Sequence, residues 1–318
     1  MRKLPGLFTV VAAVAVLAGV NAASATPPTG QFSFKELGRA QQVADGNLEV
    51  PSGRDLVSST YTLAPGADTG WQTAPGHAAL AVTKGVLGVQ QSEGCASRDL
   101  SAGNTLVVSP GQLRLHNARK EPVELLATFT GLPTGGPTPL VDGPSDPAPA
   151  CAGFAATVAL PTGVSAANSA RGTIPAYTAA HQGPGHEGHA AANDPYAPTI
   201  LHVEAGKDAF MTTFRLEPGF NSGWFVHTAH TQVITKGTWA FYEGRDGKCQ
   251  KVEEYHAGEA WAHNPHPHMG AVVGNEPVEL TVFGFNLKHG EPMPVLGSNP
   301  DHFDFSTPPP SECPTQLR

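Results

Sequence analysis

Charge is scarce in this sequence. Only 14% of its 318 residues are charged, the formal net charge is −8, and no basic run occurs. A nucleic-acid partner calls for clustered Lys and Arg, so that class is set aside. Aromatic residues make up 7%. Beyond the first 25 residues no 3.6-residue apolar periodicity is found, which argues against a helical bundle. Glycines at 206 and nearby do not form a strand-to-helix phosphate loop, and no Gly-x-Ser-x-Gly elbow exists. After Val20 no apolar stretch reaches the about 20 residues a membrane span needs. There are only four cysteines: Cys95, Cys151, Cys249 and Cys313.

Turn-forming residues, by contrast, are abundant, with 36 glycines and 30 prolines. Such a composition suits short strands joined by many turns. The opening stretch has a positive n-region (Arg2, Lys3), an apolar run from Leu7 to Val20 and a small-residue site at Ala23-Ser24-Ala25. These are the parts of a secretory signal peptide, which predicts residues 1–25 as leader and a mature chain from about Thr26. The expected location is therefore secreted or extracytoplasmic, with no membrane attachment after cleavage.

The chain contains an internal duplication. Pro65, Gly66, Gly70 and Trp71 match Pro218, Gly219, Gly223 and Trp224 at an offset of 153. Thr83-Lys84-Gly85 recurs as Thr235-Lys236-Gly237, and the pentapeptide Glu121–Leu125 recurs intact at Glu276–Leu280. An ordered series at nearly constant spacing is not chance, and its period is far too long for a solenoid. Two domains follow, 26–151 and 196–318, joined by an Ala/Gly/Pro-rich linker over 152–195. Four cysteines allow three pairings in an oxidising compartment. The repeat selects Cys95–Cys151 and Cys249–Cys313, one clasp per domain. The linker holds His181, His186 and His189, a candidate loose chelator or simply solvated histidines.

Segments such as "ALAVTKGVLGVQQ" and "TQVITKGTWAFYEG" are short, rich in β-branched residues and bounded by glycine. They predict an all-β sandwich or barrel in each repeat. The frame of a Pro-Gly turn, Gly-Trp, histidine and Thr-Lys-Gly, followed by a glycine and a histidine ahead of Glu-Pro-Val-Glu-Leu, resembles the two motifs of the cupins. It is most similar to exported bacterial members with Gly-Trp-His-x-His. The resemblance covers both repeats, about two thirds of the chain, and implies two tandem cupin-type jelly-roll β-barrels, a bicupin. It also implies that the two barrels pack on each other.

Carried over residue by residue, the resemblance separates the repeats. In the first, Gln72 and Ala74 stand where the His-x-His belongs, Ala78 where the Glu belongs, and Leu113 at the histidine of the second motif, while Asn117 keeps its place. This domain is expected to bind no metal, with His77 and His116 as ordinary polar histidines. In the second, His230 stands at the Glu position, His227 lies three residues earlier and His268 occupies the second-motif histidine. Phe225 replaces the first histidine and Val272 the asparagine. His227, His230 and His268 thus form the candidate metal set, with His266 and His263 in reserve. Residues three apart on a regular strand face opposite sides, so His227 and His230 converge only if His227 is still in a loop.

Three imidazoles suit a divalent transition metal (Zn, Fe, Cu, Ni or Mn) and leave positions open for water or substrate. One expectation is dioxygenase- or isomerase-like chemistry on a small organic molecule. The alternative is a non-catalytic, small-ligand-binding or structural protein. A third reading, metal scavenging by the whole histidine-rich half, rests on the linker histidines. Glu253 and Glu254 are adjacent, so they point to opposite faces and read as solvated. Trp71 and Trp224 read as packing residues.

Overall fold

The computed structural model describes residues 28–142, 146–151, 160–176, 197–245, 248–266 and 268–291. The leader, the linker histidines and Cys313 lie outside the described residues. The chain is built almost wholly of strands. The first half contributes β1 (Phe32–Gln42), β2 (Gly46–Val50), β3 (Asp55–Asp68), β4 (Gln72–Ala74), β5 (Ala78–Lys84), β6 (Val86–Gln91), β7 (Ala96–Ser101), β8 (Asn104–Val108), β9 (Gly111–His116) and β10 (Val123–Leu132). The second contributes β11 (Thr162–Thr173), β12 (Thr199–Val203), β13 (Lys207–Leu216), β14 (Asn221–Phe225), β15 (His230–Lys236), β16 (Thr238–Arg245), β17 (Lys248–His256), β18 (Ala260–His263), β19 (His268–Val272) and β20 (Val278–Lys288).

Strand order defines the architecture. In the first unit β3, β10, β5 and β8 pair in that order, facing a second set in the order β4, β9, β6, β7. In the second unit β13-β20-β15-β18 faces β14-β19-β16-β17. Eight antiparallel strands wound this way are a jelly roll, and the same winding occurs twice. No helix among the described residues is long and apolar enough to cross a membrane.

The repeated motifs have repeated structural causes. Asp68 Oδ1 accepts a hydrogen bond from Gly70 N, and Asn221 Oδ1 accepts one from Gly223 N. The next hydroxyl in each copy, Thr69 or Ser222, accepts a strand amide, from Leu115 or Gly270. Trp71 and Trp224 are buried beside these turns. Gly85 and Gly237 close the Thr-Lys-Gly turns at φ of +80° and +78°. A Cβ there would come within 2.8 Å of the Pro122 carbonyl oxygen and 2.5 Å of the Pro277 carbonyl oxygen. The Glu-Pro-Val-Glu-Leu strand therefore passes so close that glycine is required on both counts.

Alternation along each strand divides the core. Val57, Tyr61 and Leu63 of β3, with Leu80, Val82, Leu125 and Phe129, fill the first barrel. The opposite faces of the same strands send Leu56, Ala79, Ala81 and Leu126 into another apolar layer. That layer also holds Met211, Val233, Ala260, Phe283 and Phe285 of the second unit. A sheet buried on both faces reads as a continuous apolar run, which is why "ALAV" does not alternate.

Leading strands cross between the units. β1 runs antiparallel to β13, from Phe32↔Leu216 to Gln41↔Asp208. β11 runs antiparallel to β3, from Thr162↔Asp68 to Thr173↔Asp55. Thr162–Thr173 lies inside the segment expected to be linker. Its small residues have little propensity of their own, and the β3 edge supplies their hydrogen-bond partners. Buried Asp55 and Asp208, an offset of 153, clasp the two crossing strands. Asp55 accepts from Arg171 Nη1 and Thr173 Oγ1, both at 2.7 Å. Asp208 lies 3.7 Å from Arg39 Nη1.

Cys95 and Cys151 are bonded to each other, 56 residues apart. A loop of that length contributes about 4 kcal/mol in the chain-entropy description. Cys249 is also disulfide-bonded, and its partner lies outside the described residues.

A buried histidine centre in the second barrel

Five histidines meet at one end of the second barrel. His230 opens β15 and pairs with His263 at the end of β18. His268 opens β19 and pairs with Phe225, the last residue of β14. His227 lies in the connection between β14 and β15, so the strand objection to its meeting His230 does not apply. Their ring centroids are 3.9 Å apart, and the His227 and His268 rings are 4.5 Å apart. His266, between β18 and β19, has its ring 4.7 Å from that of His268. His230, His263, His266 and His268 are all buried. His227 is partly exposed as a residue, but its Nε2 is shielded from solvent and has no hydrogen-bond partner among the described residues.

The hydrogen bonds sort these rings. The Nδ1 atoms of His227 and His230 donate to the Thr228 carbonyl oxygen at 2.7 and 2.9 Å. His268 Nδ1 donates to the His266 carbonyl at 3.2 Å, and His266 Nδ1 to the Asn264 carbonyl at 2.9 Å. An imidazole held through Nδ1–H presents a lone pair on Nε2, which is how ligating histidines are commonly oriented. His230 spends that lone pair: its Nε2 accepts from Gln232 Nε2 at 2.6 Å. His266 Nε2 faces Glu243 at 3.7 Å. The atoms that converge are those of His227, His263 and His268, all within 4.8 Å of one another. One point then lies within about 2.8 Å of all three, against imidazole–zinc bonds near 2.1 Å.

Set beside the sequence expectation, His227 and His268 stand in the convergent set and His230 does not. Its ring is adjacent, but Thr228 and Gln232 occupy both nitrogens. His263, a reserve candidate, takes the place. The signal for it was the register: His230 faces His263 across β15 and β18 as Ala78 faces Val108 across β5 and β8. The expectation that Glu253 is solvated is corrected. Glu253 is buried, with Oε2 3.9 Å from His263 Nε2, whereas Glu254 turns outward to Lys251. Alternation along β17 turns one of the two carboxylates inward, and the packed barrel makes it Glu253. Glu243, also buried, carried no sequence signal.

Register also explains the first barrel. Ala78, Val108 and Leu113 hold the positions of His230, His263 and His268, and all three belong to its apolar core. Phe129, opposite Ala78, adds a ring where the second barrel has Gly284 opposite His230. His116 packs over Gly88, where an added Cβ would lie 2.3 Å from its ring.

Burial pushes the His227 pKa well below the ordinary value, reinforced by the charges that His230, His268 and His266 would carry. The Thr228 carbonyl opposes this only in part. Burial likewise lowers His230 to about 4, against the opposing Thr228 carbonyl. Both rings are thus neutral at pH 7, the form that binds metals. A folded value below the unfolded one, about 6.5, means a contribution present in full above pH 6.5 and lost as pH falls toward 4. For His230 this amounts to about 3 kcal/mol. Urea unfolding of metal-free protein should show stability falling across that window, and His230→Gln should flatten the fall.

A cavity of about 70 Å³ adjoins the rings. Its walls are Phe210, Phe214, Phe225, Trp239, Phe241 and neighbouring aliphatics, with His227, His230 and His268 at one side. No Arg or Lys lines it.

Fold and site together define a double jelly-roll protein with an imidazole-rich centre in its second barrel and an apolar core in its first. No protein-family model matches the sequence, and no curated protein matches it. Among solved structures it is similar to oxalate decarboxylase from Bacillus subtilis at pH 4.6, at 15% identity and a TM-score of 0.30, over 84% of this chain and 79% of that one. A mutant of the same enzyme gives 14%, a TM-score of 0.32, and coverage of 85% and 80%. A third structure, from work on the Mn(II) centers of that decarboxylase, gives 13%, 0.30, 85% and 80%. A likeness this distant leaves activity unassigned, since one fold hosts many chemistries.

Proposed function

We propose that the second barrel binds one divalent transition metal through His227, His263 and His268 and presents it to a small, uncharged organic molecule in the adjoining cavity. The first barrel serves as structural partner. The observation that carries this reading is the convergence of one ring nitrogen from each of three histidines, together with His227 Nε2, which is shielded from water and has no hydrogen-bond partner among the described residues. A buried polar atom without a partner calls for an explanation such as an unseen ion. The donor set suits Zn, Fe, Cu, Ni or Mn, and a bound ion would supply Lewis acidity or redox chemistry. The rest falls to the chain: backbone carbonyls orient the rings, and Phe225 and Phe241 keep water away.

The activity best matched is dioxygenase- or isomerase-like. A lining without Arg or Lys favours a neutral substrate over a small dicarboxylate such as the oxalate of the structural neighbours. Export is part of the proposal, supported by the leader-like first 25 residues and the Cys95–Cys151 bond. Elemental analysis of purified protein tests the central point. About one equivalent of a transition metal per chain is expected. Protein that is metal-free and takes up none of Zn, Fe, Cu, Ni or Mn on dialysis refutes it.

A further inference from the structure

We infer that Glu253 is a positioning residue that turns His263 so that its Nδ1, rather than its Nε2, faces the metal. The inference rests on the metal reading above. Successive residues of β17 face opposite ways, so Glu254 pairs with Lys251 at the surface while Glu253 enters the barrel. Its Oε2 stands 3.9 Å from His263 Nε2, and the two side chains are 4% and 2% exposed. In so dry a setting the charge of a carboxylate is weakly screened. The imidazole tautomer with its N–H toward that carboxylate is favoured, and the other would set a lone pair against it. The proton therefore sits on Nε2 and the lone pair on Nδ1.

His227 and His268 are oriented the opposite way, because their Nδ1 atoms donate to the carbonyls of Thr228 and His266. The set is then mixed, with two Nε2 donors fixed by backbone and one Nδ1 donor fixed by a carboxylate. This carboxylate comes from β17, far in sequence from His227. The barrel also contains an internal comparison. Glu243 stands 3.7 Å from His266 Nε2 in the same kind of buried pair, but His266 is outside the convergent set.

The test compares Glu253→Gln with Glu243→Gln in the full-length protein, using competition titration with Zn²⁺ and circular dichroism to follow folding. Loss of an outer-shell partner commonly weakens metal affinity about 10- to 100-fold, and that loss is expected for Glu253→Gln. Glu243→Gln should stay within about threefold of wild type, because the ring it faces, His266, is outside the convergent set. Side-chain ¹⁵N NMR of wild-type protein loaded with Zn²⁺ needs no variant and should show His263 ligated through Nδ1. Equal Zn²⁺ affinity of Glu253→Gln and wild type, or ligation of His263 through Nε2, overturns this inference and leaves the metal reading standing. A wild-type protein that takes up no Zn²⁺ overturns both.

Discussion

His227→Ala protein is expected to emerge from purification without metal, with Zn²⁺ affinity reduced by more than the roughly 100-fold that loss of an outer-shell partner can cause. His227 contributes a ring nitrogen, Nε2, that is shielded from solvent and has no hydrogen-bond partner among the described residues. Its ring also touches those of His230 and His268, so it is central to the cluster. His268→Ala should behave in the same way. His230→Gln should not, because both His230 nitrogens are engaged by Thr228 and Gln232. Elemental analysis of the three variants side by side checks the assignment. Retention of a full equivalent of metal by His227→Ala would remove that histidine from the site, and loss of metal from His230→Gln would return His230 to it. Stability should follow occupancy. A ligand at 100 times its dissociation constant adds about 2.7 kcal/mol, so chelation should lower the melting temperature of wild type and leave that of His227→Ala unchanged.

Arg171→Met is expected to destabilise the whole fold by about 3 kcal/mol, the lower end of the range for breaking one side of a buried ion pair. Asp55 is nearly inaccessible and accepts from Arg171, Thr173 and Gly135. Arg171 is 28% exposed, which places the effect at that lower end. With Arg171 gone, the carboxylate keeps its burial and loses its only charged partner among these three. The site is also where β11 is fastened to β3, so the crossing strand should loosen with it. Burial raises the Asp55 pKa, but the hydrogen bonds from Thr173 and Arg171 outweigh it, and the net value lies below the ordinary one. A depressed carboxyl contributes stability that is present above its unfolded value near 4 and fades as pH falls through the folded value. Urea titrations at pH 7 and at pH 3 should therefore show wild type and Arg171→Met converging in acid. Wild-type stability in the variant at pH 7 would mean that the clasp is ornamental.

These results depend differently on what could be read along the chain. The duplication was plain in linear order because turns are local. Gly85 and Gly237, the Asp68 and Asn221 turns and the Glu-Pro-Val-Glu-Leu strands each act within a few residues or through a fixed repeat. The loss of histidines from the first copy was equally visible, since Ala78 and Leu113 are matters of residue identity. A strand at Thr162–Thr173 was not visible, because residues such as Ala166 and Ala167 become a strand only when the β3 edge offers partners. Nor could the chain show that Glu253 is inside. Alternation along β17 makes one of Glu253 and Glu254 face inward, but only the packed barrel decides which.

The linear chain, then, was enough to determine two β-units of one pattern, a second unit rich in imidazole and a first unit with no histidine at the corresponding positions. Periodicity, turn chemistry and residue identity are properties of neighbours in sequence. Tertiary structure alone decided which three of five histidines meet. A ring nitrogen can serve an ion only if no carbonyl, amide or carboxylate has claimed it. Thr228 and Gln232 make those claims on His230 from two residues away along the chain, whereas Glu243 faces His266 from β16 across the barrel.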